Sequence, residues 1–174
     1  DHQKTAVQWM VTKECNGLGK LGGFLCDEQG LGKTRTVAAL IKRACHSERD
    51  GDGERPHTLI IVPSTLLDNW EKELNWMQIW PARYYGSGRS FKSLFQNYVS
   101  NCQADKRALN ANRVVRPFVV LTTIETLKST QKHKKDADFF TFRWRRVVCD
   151  EAHFLTNPES ERVKTLRTIK RDIT

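Results

Sequence analysis

Apolar positions in this chain follow two rhythms, one helical and one of short unbroken runs. Ala6, Val7, Met10 and Val11 recur at helical spacing and predict a helix over residues 1–15. Gly17, Gly19, Gly22 and Gly23 interrupt it before a brief apolar run, Gly23-Phe24-Leu25-Cys26, which reads as a strand. A second helical pattern follows through Val37, Ala38, Leu40, Ile41 and Ala44, then a polar link over 47–56. Thr58-Leu59-Ile60-Ile61-Val62 is continuous, β-branched and stopped by Pro63, the pattern of a strand buried on both faces. Ser64 or Thr65 is placed to cap a helix whose core face is Leu66, Trp70, Leu74 and Met77. Residues 82–85 suggest a short strand and 90–115 a helix with soft ends. A third buried strand is expected at 118–121, a helix from Ile124, a charged loop at 131–136 and a fourth strand at 146–149. The stretch 158–170 has Pro near a helix start, acids in the first turn and bases in the last.

Strands alternating with helices predict parallel βαβ units and one sheet covered by helices on both faces. Ligands of such sheets sit at the carboxyl ends of the strands. The polar groups that stand out here fall at those ends: residues 27–34, Ser64 and Thr65, Thr122 and Thr123, and residues 150–153.

The chemistry concentrates in Asp27-Glu28-Gln29-Gly30-Leu31-Gly32-Lys33-Thr34, between an apolar run and a helix. That is the setting of a P-loop, in which glycines let backbone N–H groups approach a phosphate and the helix N-terminus adds favourable dipole. Lys33 would reach the β- and γ-phosphates, and the Thr34 hydroxyl would ligate Mg²⁺. Asp27 stands where the strict pattern has Gly. Asp150, after an apolar strand, is placed to meet the same Mg²⁺, and Glu151 to orient or deprotonate the attacking water. Either acid alone would pass for a solvated turn. Paired with a phosphate cradle, they make the two halves of an NTP-hydrolysing site.

Composition adds little to this but agrees with it. The 174 residues are 39% hydrophobic, enough for one domain with a core, and carry a net charge of +9, the sign expected of a polyanion partner. The five cysteines (Cys15, Cys26, Cys45, Cys102, Cys149) show no metal-ligand spacing and read as reduced thiols of the cytosol or nucleus. Cys26 and Cys149 each precede an acid of the site. No apolar run approaches membrane-spanning length, so no membrane partner is expected. A chain opening on Asp1 inside a helical pattern reads as a piece of something longer.

These residues also carry a family resemblance. Asp150-Glu151-Ala152-His153 matches the DEAH box, and residues 27–34 resemble the Asp-Glu-Met-Gly-Leu-Gly-Lys-Thr form of the P-loop. Together they resemble the Swi/Snf-related helicase-like ATPases of superfamily two, whose own loop variant accounts for Asp27. His2-Gln3 followed by Val7-Gln8-Trp9-Met10 is similar to that family's opening motif, which implies that Gln3 contacts adenine. Residues 59–74 and 119–127 resemble its motifs Ia and Ib, and Trp144-Arg145-Arg146 its lead-in to the box. The departures are small: Gln29 for Met, Cys26 for Ala, Ile124 for an aromatic, and Thr156 where a base usually precedes Asn157.

The resemblance implies an α/β P-loop NTPase fold, a RecA-like parallel sheet with helices on both faces. Residues 1–174 would form the first lobe of a two-lobed helicase core, truncated before the family's next motif. It implies ATP and Mg²⁺ as cofactors, held by Gln3, Asp27, Glu28, Gly30, Leu31, Gly32, Lys33 and Thr34, with Thr34 and Asp150 on the metal. Glu151, Lys33 and Asp150 would be catalytic, and His153 would couple the box to the rest of the core. Ser64, Thr65, Thr122 and Thr123 would contact duplex DNA through its phosphates. The implied activity is DNA-stimulated ATP hydrolysis in the nucleus, driving translocation and remodelling of nucleosomes or other DNA-bound proteins. The partners are double-stranded DNA and a second lobe bearing an arginine finger. The alternatives from the same residues are a non-catalytic DNA- or partner-binding platform and an RNA helicase lobe.

Overall fold

The computed structural model describes residues 2–15, 22–28, 30–47, 57–108, 117–134 and 136–173. Its centre is β1 (His57–Ile61), the strand predicted from the apolar run, whose last four residues are all buried. β1 lies between β3 (Phe118–Thr122) and β4 (Trp144–Cys149), with β2 (Ala82–Arg83) and β5 (Arg171–Ile173) at the edges. Every pairing is parallel, and Ile61 faces Thr122 on one side and Cys149 on the other. The expected α/β parallel sheet is therefore present.

The period-two alternation of strand side chains divides the core into two layers. Ile60, Val119 and Leu121 pack under α2 (Lys33–Ser47) and α3 (Leu67–Trp76), through Val37, Ile41, Trp70 and Leu74. Leu59, Ile61, Phe118, Val120 and Trp144 face the opposite way. They meet Phe91 of α4 (Phe91–Ala108), Leu127 of α5 (Ile124–Lys132), Phe139 of α6 (Ala137–Thr141) and Leu166 of α7 (Glu161–Arg167). Each such buried side chain contributes about 1.5–3 kcal/mol, so the unbroken apolar runs favour a sheet covered on both faces. Thr123 and Ser160 cap α5 and α7, their hydroxyls accepting from the Thr126 and Val163 amides.

Two expectations change, a third is described only in part, and two short elements were not expected. Residues 22–28 form no strand among the described residues. Phe24 is 75% exposed, Leu25 alone packs on the core, and the space at Gly23 is taken by the Trp9 ring. A four-residue run with two outward side chains and a glycine has too little to bury to hold a place in the sheet. Ser64 and Thr65 do not cap α3: they form a 3-10 turn with Leu66, and the helix starts without a side-chain cap. The helix expected over 90–115 is α4, described to Ala108, and the rest of that expectation lies outside the described residues. Nothing in the pattern announced α6 or β5, which are five and three residues long.

α1 (His2–Cys15) packs against α2 and is fastened to the sheet by charge. The Arg146 guanidinium, 3% exposed, donates from Nε to Glu14 Oε1 (2.8 Å), from Nη2 to Oε2 (2.6 Å) and from Nη1 to Thr58 Oγ1 (3.3 Å). The fork-on-fork pair holds the helix in one register against β4. Removing one partner strands a buried charge, so Glu14→Ala should lower unfolding free energy by about 3–5 kcal/mol in urea titrations. The double replacement Glu14→Leu, Arg146→Met should recover most of that loss.

A candidate nucleotide cleft at the strand ends

The parallel ladder delivers the acids. The Asp150 amide donates to Ile61 O at 2.9 Å, which continues the β1–β4 pairing one residue past the strand. The chain then turns sharply at Glu151, whose φ of 50° and ψ of 48° lie in the left-handed region, and enters a 3-10 turn over Ala152–Thr156. A non-glycine residue held there marks a position where the surroundings dictate the backbone. Asp150 Oδ1 accepts from the Glu151 amide (2.9 Å) and Oδ2 from the Trp70 indole Nε1 (2.7 Å). Glu151 itself is exposed, and the His153 ring Nδ1 stands 3.9 Å from Glu151 Oε2.

The glycine loop leads into α2, whose first residue, Lys33, lines the same cleft as the acids. Gly30 and Gly32 have φ of +89° and +79°, conformations that a side chain would strain, and among the described residues no atom lies within 4 Å of where a Cβ on Gly30 would project. Lys33 opens α2 and curls back, its ammonium donating to Asp27 O (2.8 Å) and Glu28 O (3.1 Å). Thr34 follows half-buried in the first turn. At the back of the loop, Gln3 Nε2 donates to Leu31 O (3.2 Å), and its amide nitrogen occupies the place where a Gly32 Cβ would fall. Asp27 is half-buried, and among the described residues its Oδ2 has no hydrogen-bond partner.

Lys33, Cys26, Trp70, Asp150, Glu151 and His153 line one cleft of about 920 Å³, whereas Asp27, Glu28, Gly30, Leu31, Gly32 and Thr34 do not line it. The arrangement suits a magnesium–nucleotide complex. An open glycine turn, a lysine held over the loop and the free amides of a helix start form an anion cradle. No group of three or more His, Cys, Asp or Glu among the described residues gathers to hold a metal alone. One carboxylate and one hydroxyl that rely on substrate phosphates for the remaining ligands are what Mg²⁺ ordinarily uses.

The four hydroxyls expected to face DNA separate into two kinds. Ser64 and Thr65 are exposed at the carboxyl end of β1. Thr122 is fully buried and its hydroxyl donates to Tyr84 O (2.7 Å), while the Thr123 hydroxyl caps α5. Both threonine side chains are thus engaged within the fold, Thr122 by the burial of β3 and Thr123 by capping α5.

Trp70 was expected only as core. It is core, at 3% exposure, but its indole N–H is also the partner of the site's first acid. The available signal was chemical: a buried tryptophan needs an acceptor for its N–H.

A twisted parallel sheet with helices on both faces, a glycine loop opening a helix and acids at a neighbouring strand end define a RecA-like α/β lobe. The chain belongs to the SNF2-related domain family, which residues 2–173 match. It is 30% identical over 165 residues to a probable global transactivator of Orgyia pseudotsugata multicapsid polyhedrosis virus, covering 92% of this chain and 28% of the viral protein. It is likewise 30% identical to the DNA repair protein rad8 of Schizosaccharomyces pombe, over 85% of this chain and 13% of that protein. The same identity links it to a Drosophila melanogaster SWI/SNF-related regulator of chromatin containing DEAD/H box 1, over 97% of this chain and 18% of the relative. The chain therefore spans less than a third of the length of these relatives.

The two cleft cysteines differ in environment. Cys26 is exposed, whereas burial pushes the Cys149 thiol up to about 11 from an ordinary 9.0. The thiolate is the reactive form, so in native protein at pH 8 iodoacetamide should label Cys26 and spare Cys149. Raising the pH should increase the Cys149 rate about tenfold per unit until the pH nears 11, as followed by peptide mass spectrometry.

Proposed function

We propose that this chain is the ATP-binding lobe of a nuclear, DNA-stimulated ATPase that translocates on duplex DNA and remodels nucleosomes or other protein–DNA complexes. The observation that carries the reading is that Lys33, Asp150 and Glu151, from elements far apart in sequence, line one cleft. Family membership and relatives named for chromatin regulation and DNA repair support it.

In this reading the loop from Asp27 to Gly32 presents backbone amides to the phosphates, and Lys33 exchanges its two loop carbonyls for phosphate oxygens. Gln3, already seated on the loop, reads the adenine edge. Thr34 and Asp150 hold Mg²⁺, which neutralises charge on the phosphates when bound. Glu151, exposed in the cleft, orients a water and accepts its proton. His153, beside Glu151, passes the state of the site to a second lobe, whose arginine faces the γ-phosphate. Ser64 and Thr65 offer hydroxyls to the DNA backbone, contacts that position without reading sequence.

In the full-length protein Lys33→Ala should weaken ATP binding by about 10- to 100-fold, the loss expected for charge-assisted bonds of about 1.5–3 kcal/mol. Glu151→Gln should leave binding within about twofold and cut DNA-stimulated phosphate release by at least 10²-fold. Normal hydrolysis by the Glu151 variant would remove its assignment.

Duplex binding should be indifferent to sequence, with log K falling linearly in log salt at a slope of about −0.9 per phosphate neutralised by a lysine or arginine. Ser64→Ala with Thr65→Ala should weaken binding by about tenfold without changing that slope, since neither residue carries charge. Fluorescence anisotropy across a salt series checks both.

A further inference from the structure

As a metal ligand, Asp150 needs its carboxylate held in one orientation. Two bonds fix it. Oδ1 accepts from the adjoining amide, and Oδ2 from Trp70 Nε1 at 2.7 Å. Trp70 projects from α3, is 3% exposed, and packs with Leu67 and Leu74 in the core layer under that helix. Its ring cannot swing away without opening that layer. The bond spans 80 residues of sequence and ties a rigid helix to the strand-end acid.

The same helix also grips the phosphate side. Glu73, one turn along α3 from Trp70, accepts from Arg35 Nε at 2.7 Å and from Nη2 at 3.3 Å. Arg35 directly follows Thr34 in α2, and its guanidinium lies 4.9 Å from the centre of the Trp76 ring. Residues three apart lie on one face of a helix, so Trp70 and Glu73 work from the same side of α3. One end of this contact holds the acid, and the other holds the helix that starts at Lys33.

We propose that Trp70 is a positioning residue for the metal carboxylate, and that α3 is the strut that sets the distance between acid and phosphate cradle. The inference rests on Asp150 being a Mg²⁺ ligand. With Oδ2 held by the indole, Oδ1 is left to face the cleft with a lone pair beyond the one the Glu151 amide uses. Trp70 would then act on divalent binding without touching either nucleotide or metal, as outer-shell partners of metal ligands do.

The experiment measures affinity for a fluorescent ATP analogue in the full-length protein, in EDTA and in Mg²⁺, and takes the ratio as the magnesium enhancement. Trp70→Phe keeps an aromatic in the core and loses the donor. The EDTA affinity should stay within about twofold, and the enhancement should fall by about 10- to 100-fold. Leu67→Ala loosens the same core layer without touching Asp150. It should lower the melting temperature and leave the enhancement intact. Should Trp70→Phe fail to fold, Trp70→benzothienylalanine keeps the ring shape, puts sulfur in place of the N–H, and should give the same loss. Asp150→Ala distinguishes the metal ligand from the residue that positions it. If it abolishes the enhancement while the Trp70 variants keep theirs, the positioning role is overturned and the metal assignment stands. If Asp150→Ala leaves the enhancement unchanged, the metal assignment falls and the role of Trp70 with it. An equal loss in Leu67→Ala would show general loosening of the core and overturn the proposal.

Discussion

The main-chain bond from the Asp150 amide to Ile61 O extends the β1–β4 ladder just beyond the last strand residue, and the site depends on that extension. It places the acid at a height set by the sheet rather than by a loop. Everything that makes β1 central contributes to that placement: its parallel neighbours on both sides, its burial on both faces, and the stop imposed by Pro63. A backbone bond in a buried ladder keeps its geometry whatever the side chains do, which suits an anchor for a carboxylate.

Charged contacts around the sheet divide by burial into two kinds of work. Glu14 and Arg146 meet where water is excluded, so their pairing is costly to break and fixes where α1 sits, and through α1 where Gln3 meets the loop. Arg35 and Glu73 meet with about half and a quarter of their side-chain surfaces in water. A pair so exposed contributes at most about 1 kcal/mol. Its value is geometric, holding α2 and α3 in alignment while the apolar layer beneath them supplies the stability.

How much of this was legible in the sequence follows from which forces write themselves into local patterns. The apolar runs at 58–62, 118–121 and 146–149 announced their strands because burial on both faces requires consecutive apolar residues. Residues 27–34 and 150–153 stood out because a glycine turn before a helix and paired acids after an apolar run are uncommon, and the fold brings Lys33, Asp150 and Glu151 to one cleft. Residues 22–28 misled because apolar character was read as pairing, whereas a strand needs a neighbour's edge and a side chain to bury on each face. β5, at three residues, is too short to show a period, and its place is decided by β4. Thr122 and Thr123 have the right chemistry at the right strand end, but the buried register of β3 holds the Thr122 hydroxyl on Tyr84 O, and the cap of α5 takes that of Thr123. Trp70 was half legible: its apolar ring fits the helical spacing, while its N–H points to a residue 80 positions away.

Parallel pairing between β1 and β4 also has a consequence for the order in which a growing chain acquires its properties. Lys33 leaves the ribosome 117 residues ahead of Asp150. At about 5–20 residues per second, that interval is on the order of 6–23 s. Within it α2 is completed before any strand of the sheet that covers it, β1 follows at Ile61, β3 joins it only by Thr122, and β4 comes last. The glycine loop exists early as a sequence and late as a site. A lobe built this way presents apolar surface to its surroundings for seconds before it can hold a ligand, which makes the interval of synthesis, rather than the finished fold, its most vulnerable period.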